Sequence, residues 1–306
     1  MKNWIRTHQL TLFVVMTFLA SWVCWLAVFN DLKPSLFEFE GRTLLIFLLG
    51  AYTPSMVALA LGYCLGGAEG VKSLLHRLMM WRVGMFWNLL ALLAGPAIYA
   101  LAVWLYAASG GVLGAVNYGL LPWIPVIFLV SLFLGPLAEE LGWRGFLLPR
   151  LNPQARPIRA AVIVGLIWGA WHIPLFWAVI GTSVSGFPVS LSSVTLFFLS
   201  TIGASFLYVW MHNKTGGSLW IAVLIHLGWN TSGTTVSLLF PEMSAAQKLD
   251  FYLYPIALVW GVLGLVALVN FAKSPKALIH IVYQKMRLLN SLFNEHNIRA
   301  LRHKDA

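Results

Sequence analysis

The sequence predicts an all-α membrane protein, a bundle of about eight transmembrane helices around an intramembrane polar cavity. Three observations lead there. Only 10% of the 306 residues are charged and 59% are hydrophobic, with a mean hydropathy of +0.80, whereas soluble domains carry about 25% charged residues. Apolar runs of roughly 20 residues, the length that crosses about 30 Å of hydrocarbon, recur along the whole chain. In lipid, a run of that length satisfies its own backbone only as a helix.

The first run, 9–29, is long enough to span and lacks a small-residue cleavage site, so it reads as a transmembrane helix and not as a signal peptide. Runs 44–65, 85–108, 121–148, 158–180, 191–211, 218–239 and 251–271 follow. Gly135-Pro136 in the fourth run and Pro174 in the fifth should bend their helices and leave room for water. No internal repeat or low-complexity linker divides the chain. Residues 1–272 therefore read as one membrane domain, with a polar core at about 121–239, followed by a tail at 273–306.

An even number of spans puts both termini on one side, and positive charge decides which side. All of the 20 Lys and Arg except Lys33, Arg42 and Lys248 sort to the face that holds the termini. That face is expected to be cytoplasmic, and the protein to be integral to the cell membrane. The net charge of +10 is accounted for by anionic headgroups of the lipid bilayer and calls for no nucleic acid. In the tail, Leu278, Val282, Met286, Leu289 and Phe293 recur at helical spacing among Lys276, Lys285 and Arg287. The pattern fits a basic amphipathic helix in the membrane interface, or a tail packed on the protein. Cys24 and Cys64 fall toward opposite ends of the first two spans, too far apart for a disulfide.

Against this background the polar groups inside the spans stand out. Glu139 and Glu140 lie in the fourth run, with Arg144 four residues after the second. A carboxylate in hydrocarbon costs about 2.5–3.5 kcal/mol on insertion scales, so a pair of them requires a reason. Glu140 and Arg144 share a helix face and can pair. Glu139 is turned away by about 100° and is free to face a cavity. Two carboxylates beside one arginine do not both ionise easily in a low dielectric. One pairs with Arg144, and the other is left for general acid–base chemistry. Gly142 and Gly145 would let another helix approach closely.

Of eight histidines only His172 and His226 lie within predicted spans, while His212 and Lys214 read as residues of a solvated loop. Asn230 shares a face with His226, and Trp168 with His172, by their four-residue spacing. At about 1.5 Å per residue, Glu139, His172 and His226 all fall roughly 14–20 Å from the same ends of their helices. Three helices thus bring ionisable groups to one level. Trp143, Trp171 and Trp229 adjoin these positions and could shape a cavity for a lipid tail.

Glu139-Glu140-x-x-x-Arg144, then Trp168-x-x-x-His172, then His226-x-x-x-Asn230, in order on successive apolar segments, resembles the CAAX-processing and bacteriocin-processing (CPBP) intramembrane protease family. Ras-converting CAAX endopeptidases belong to it. Trp168 stands where the family often has Phe. The resemblance implies an endopeptidase that hydrolyses a peptide bond with an activated water. In it Glu139 and His172 match the pair that activates the water, and His226 and Asn230 match the oxyanion donors. Glu140 and Arg144 match the supporting shell. The implied substrate is a peptide or a prenylated protein, including removal of the last three residues from CAAX proteins where the cell makes them.

Zinc is an open alternative as cofactor, since Glu139, His172 and His226 could hold it with a position left for water. There is no His-Glu-x-x-His spacing to support it, and Glu/His water activation needs no metal. The same residues could serve a non-catalytic scaffold for self-immunity or partner binding, although a scaffold has no need of all four. They could also relay protons in a transporter, for which an inverted repeat would be expected and none is found.

Overall fold

The computed structural model describes residues 2–34, 38–179 and 189–273, which form helices and turns with no strand among them. The expected tail helix, with its residues from 274 onward, lies outside the described residues. Ten helices follow in order. They are α1 Lys2–Ala27, α2 Gly41–Leu78, α3 Met85–Ala108, α4 Ile124–Leu134, α5 Pro136–Glu140, α6 Leu148–Arg150, α7 Pro157–Trp171, α8 Leu191–Lys214, α9 Leu219–Leu239 and α10 Ala245–Lys273. A π-helical turn, Leu141–Leu147, joins α5 to α6. The chain divides into two compact units at Val259/Trp260, within α10. All the residues discussed below lie in the first.

Among the described residues, six helices are long and apolar enough to cross a membrane: α1, α2, α3, the composite 118–150 segment, α8 and α10. Eight were expected from the runs, and two fall short for different reasons. The 15 residues of α7 end at Trp171, about 22 Å at 1.5 Å per residue and less than the hydrocarbon thickness. The run predicted to reach 180 stops because Pro174 cannot donate to the previous turn. A short 3-10 turn, Ile173–Trp177, replaces the helix. Helix α9 is 21 residues long, but His226, Asn230 and several Gly, Ser and Thr residues lower its hydropathy. Most of α9 is buried in protein and has little need of an apolar surface toward lipid. The helices that miss the membrane criteria are the two that carry the histidines.

Small residues set the packing, as expected where helices associate without a water-driven hydrophobic effect. In the α3–α9 contact, a Cβ on Gly95 would lie 2.5 Å from the Gly228 carbonyl carbon. In the α7–α8 contact, a Cβ on Gly165 would lie 2.6 Å from the Ile202 Cα. Trp25 of α1 lies across Gly50 of α2, and the Ser21 hydroxyl donates to the Gly50 carbonyl at 2.9 Å. At Gly67, with φ at +63°, α2 leaves helical geometry and turns back, so the Gly62 and Gly70 backbones touch. The returning piece brings Arg77 to the helices that build the site.

Gly95 gives a direct test of this packing. Gly95→Ala should lower stability by about 1–3 kcal/mol through overpacking, read as a fall in thermal midpoint in detergent. Gly41→Ala, where an added methyl meets nothing within 4 Å, should leave that midpoint in place.

Candidate active site

The site is built on a broken helix. Helix α4 stops at Leu134, Gly135 adopts non-helical angles of −135° and −73°, and Pro136 opens α5. A glycine followed by a residue without an N–H interrupts the hydrogen-bond ladder, and the freed carbonyls find donors on α2. Tyr52 donates its hydroxyl to the Phe133 carbonyl at 2.7 Å, and Ser55 to the Leu137 carbonyl at 3.2 Å. Pro54 of α2 fits against Gly142, where a Cβ would come within 2.6 Å of its backbone. The close approach expected of Gly142 is therefore made by α2.

The π-helical turn that follows has its own backbone support. Arg77 donates to the carbonyls of Arg144 at 3.2 Å, Gly145 at 3.0 Å and Gly217 at 2.8 Å. It also donates to His212 at 3.1 Å. His212 was expected in a solvated loop, but it is buried in the last turn of α8. There it serves the Arg77 clamp and stands apart from the other histidines.

Glu140 is the centre of charge. It is fully buried, and its Oε1 accepts from Arg144 at 2.9 Å and from His226 Nδ1 at 2.7 Å. The pairing of Glu140 with Arg144 is as the sequence predicts, and the contact with His226 is new. The rest of the Arg144 guanidinium lies between aromatic faces, 3.6 Å from the Tyr208 ring centroid and 4.3 Å from that of Trp168. Its Nε and Nη2 have no hydrogen-bond acceptor, so the rings supply the favourable electrostatics. Glu139 faces the other way. Its Oε2 accepts from the indole N–H groups of Trp143 at 3.1 Å and Trp168 at 2.6 Å.

His172 caps the C-terminus of α7 and donates from Nδ1 to the Trp168 carbonyl at 2.8 Å, since a carbonyl can only accept. Its Nε2 is thereby left with a lone pair when the ring is neutral. Trp168 lies edge-on between the two histidines, with ring centroids 6.0 Å from His172 and 5.5 Å from His226. Asn230 comes in from α9 one turn after His226. A Cβ on Gly135 would stand 2.8 Å from Asn230 Nδ2 and 3.4 Å from His226 Nε2. Both polar groups therefore border the space that Gly135 leaves empty.

The structure thus brings Glu139, Glu140, Arg144 and His226 together around Trp168, with His172 on its far edge and Asn230 across Gly135. Sequence reasoning missed Tyr208 and Arg77. An aromatic in an apolar run, or an arginine at a helix end, gives no signal that separates site from lipid contact. Trp143 is noticeable in the sequence as a cavity wall, but not as a donor to Glu139.

Among the described residues no three His, Cys, Asp or Glu side chains converge as metal ligands. The Arg144 cation shares the cluster and would oppose another.

Residues 121–232 match the family model described as type II CAAX prenyl endopeptidase, Rce1-like. This segment is similar to the Rce1-like endopeptidases. It runs from the turn before α4 into α9, and all seven motif residues from Glu139 to Asn230 fall inside it. A CAAX prenyl protease 2 of Methanococcus maripaludis is 26% identical over 222 residues, covering 70% of this chain and 80% of that protein. The family resemblance carried by the three motifs holds. The similarity to the Rce1-like family and the six described helices long and apolar enough to cross a membrane together support an integral membrane protein.

The buried ion pair can be separated from an exposed one. Arg144→Met leaves Glu140 buried with one partner fewer and should destabilise by about 3–5 kcal/mol, seen as a large fall in thermal midpoint. Lys72→Met breaks the Lys72–Glu69 pair, whose side chains are 71% and 80% exposed, and should leave the midpoint almost unmoved.

Proposed function

We propose that the protein is an intramembrane endopeptidase in which Glu139 and His172 activate a water for attack on a peptide carbonyl. His226 and Asn230 receive the negative charge that develops on the carbonyl oxygen. The observation that carries this reading is the pair of polar groups, His226 Nε2 and Asn230 Nδ2, bordering the space at Gly135. Two donors converging on one small volume suit an oxyanion better than they suit a helix–helix lock, which would pair them with each other or with backbone.

The remaining geometry fits those roles. His226 is held through Nδ1 by Glu140, so that in its imidazolium form Nε2–H points at the same space. Asn230 supplies the neutral second donor. Glu139 accepts from the Trp168 indole and His172 lies against the same ring, and His172 offers the lone pair on Nε2. Glu139 takes the proton of the attacking water and returns it to the leaving amine, so the two half-reactions balance without a covalent enzyme intermediate. Arg144 neutralises Glu140 and keeps it from competing as a base.

The substrate we propose is the C-terminus of a prenylated CAAX protein, following the name of the Methanococcus relative. The cleavage would release the last three residues. We further place the termini on the cytoplasmic side from the sorting of Lys and Arg, where lipidated cytoplasmic proteins are found. The proposed route uses no metal.

Mass spectrometry of farnesylated and unfarnesylated CAAX peptides tests the whole assignment. Wild type should remove three residues from the farnesylated peptide, with or without a strong chelator. Glu139→Ala and His172→Ala should abolish cleavage without unfolding the protein. His226→Ala and Asn230→Ala should each lower turnover by about 100- to 1,000-fold, the usual cost of one oxyanion donor. Chelator-sensitive cleavage would reverse the metal-free assignment, and an Asn230→Ala enzyme at wild-type rate would remove Asn230 from the site. No cleavage of any peptide by wild type would favour a non-catalytic scaffold.

A further inference from the structure

The two carboxylates of the site are held in different ways, and the difference singles out two tryptophans. Both oxygens of Glu140 are shut inside the protein, where Oε1 meets Arg144 and His226 and Oε2 has no partner at all. Glu139 keeps 6% of its surface accessible. Its Oε2 takes two N–H donors, while Oε1 accepts no hydrogen bond from the described residues. A carboxylate offers about four lone-pair positions. Here both protein donors fall on one oxygen, so the other is left without a donor among the described residues.

Neither donor can turn away. Trp143 is fully buried, edge-on to Phe13 at 5.6 Å between centroids and to Trp171 at 5.6 Å. It comes from the π-helical turn, four residues after Glu139. Trp168 comes from α7 and is fixed by the Arg144 cation on its face and by Tyr208, His172 and His226 against its edges or faces. A phenylalanine at 168 would keep those ring contacts, yet it has no N–H to give. The hydrogen bond to Glu139 is therefore what tryptophan at 168 supplies and phenylalanine would not.

We infer that Trp143 and Trp168 are positioning residues that clamp Glu139 through Oε2 and present Oε1 as the oxygen that takes the proton from the attacking water. The inference rests on the reading of Glu139 as the catalytic base. Two charge-assisted hydrogen bonds from separate segments fix both the position and the rotation of the carboxylate. Trp168 also touches both histidines, so the indole sets the distance between base and oxyanion donors. Misplacement of a reacting group by about 1 Å can lower a rate about 100-fold.

The test combines kinetics with a reading of the indole N–H groups that needs no activity. With the farnesylated CAAX peptide, Trp168→Phe and Trp143→Phe should each lower kcat by about 10- to 100-fold, with KM and thermal midpoint near wild type. In protein labelled with 15N on the indole nitrogens, those variants identify the Trp143 and Trp168 resonances, and Glu139→Gln should shift both. A Trp168→Phe enzyme at wild-type kcat overturns the inference, as does a loss that appears only in KM. So do resonances that ignore Glu139→Gln. Should Trp168→Phe fail to fold, Trp143→Phe carries the same kinetic test. If both resonances shift while wild type cleaves nothing, the hydrogen bonds stand and the endopeptidase reading fails, taking the positioning role with it. Cleavage by wild type with unshifted resonances sinks the clamp alone.

Discussion

The structure around the site depends on one oxygen atom, Oε1 of Glu140, which accepts from an arginine on its own segment and from a histidine on α9. In a fully buried setting each of these groups alone would be prohibitively placed. Together they cancel charge and tie two stretches of chain 86 residues apart. The aromatic faces of Tyr208 and Trp168 complete the enclosure of Arg144. Because Arg144 also sits in the π-helical turn whose carbonyls Arg77 holds, the network reaches α2, α7, α8 and α9. With Glu140 so engaged, Glu139 beside it remains available for other work.

The second constraint is backbone supply. A helix interrupted by Gly135-Pro136 and then widened into a π-helical turn has carbonyls without regular partners, a costly condition away from water. Tyr52, Ser55 and Arg77, all from α2, provide the missing donors. The bend of α2 at Gly67 brings Arg77 back toward the same region. Helix α2 thus acts as the splint of the broken helix, although it contributes no group to the proposed chemistry.

Much of this was legible in the sequence, for identifiable reasons. Run length and low charge announced the helices, and α3 runs from Met85 to Ala108 as expected. The break at Gly135-Pro136 and the pairing of Glu140 with Arg144 follow from local rules of backbone and spacing. What stayed hidden was non-local. Glu140 meets His226 because α5 packs on α9, and nothing in the spacing reports that. His212 read as a loop residue because it follows an apolar run, yet contact with Arg77 buries it. The count of eight spans exceeded the six that meet membrane length and hydropathy. Helices α7 and α9 are lined by protein, and so did not need the length or apolarity that lipid demands.

Gly135 reverses the usual logic of a mutational scan. Replacing residues by alanine normally deletes atoms, and a loss of function is then credited to the group removed. At Gly135 alanine adds an atom, 2.8 Å from the Asn230 amide nitrogen. A loss of activity there would be scored against a residue that carries no reactive group. The part it contributes to the site is a volume, and that volume is bounded by the side chains of another helix. A vacancy of this kind leaves no mark in a list of chemically capable residues, and only the geometry of its neighbours makes it visible.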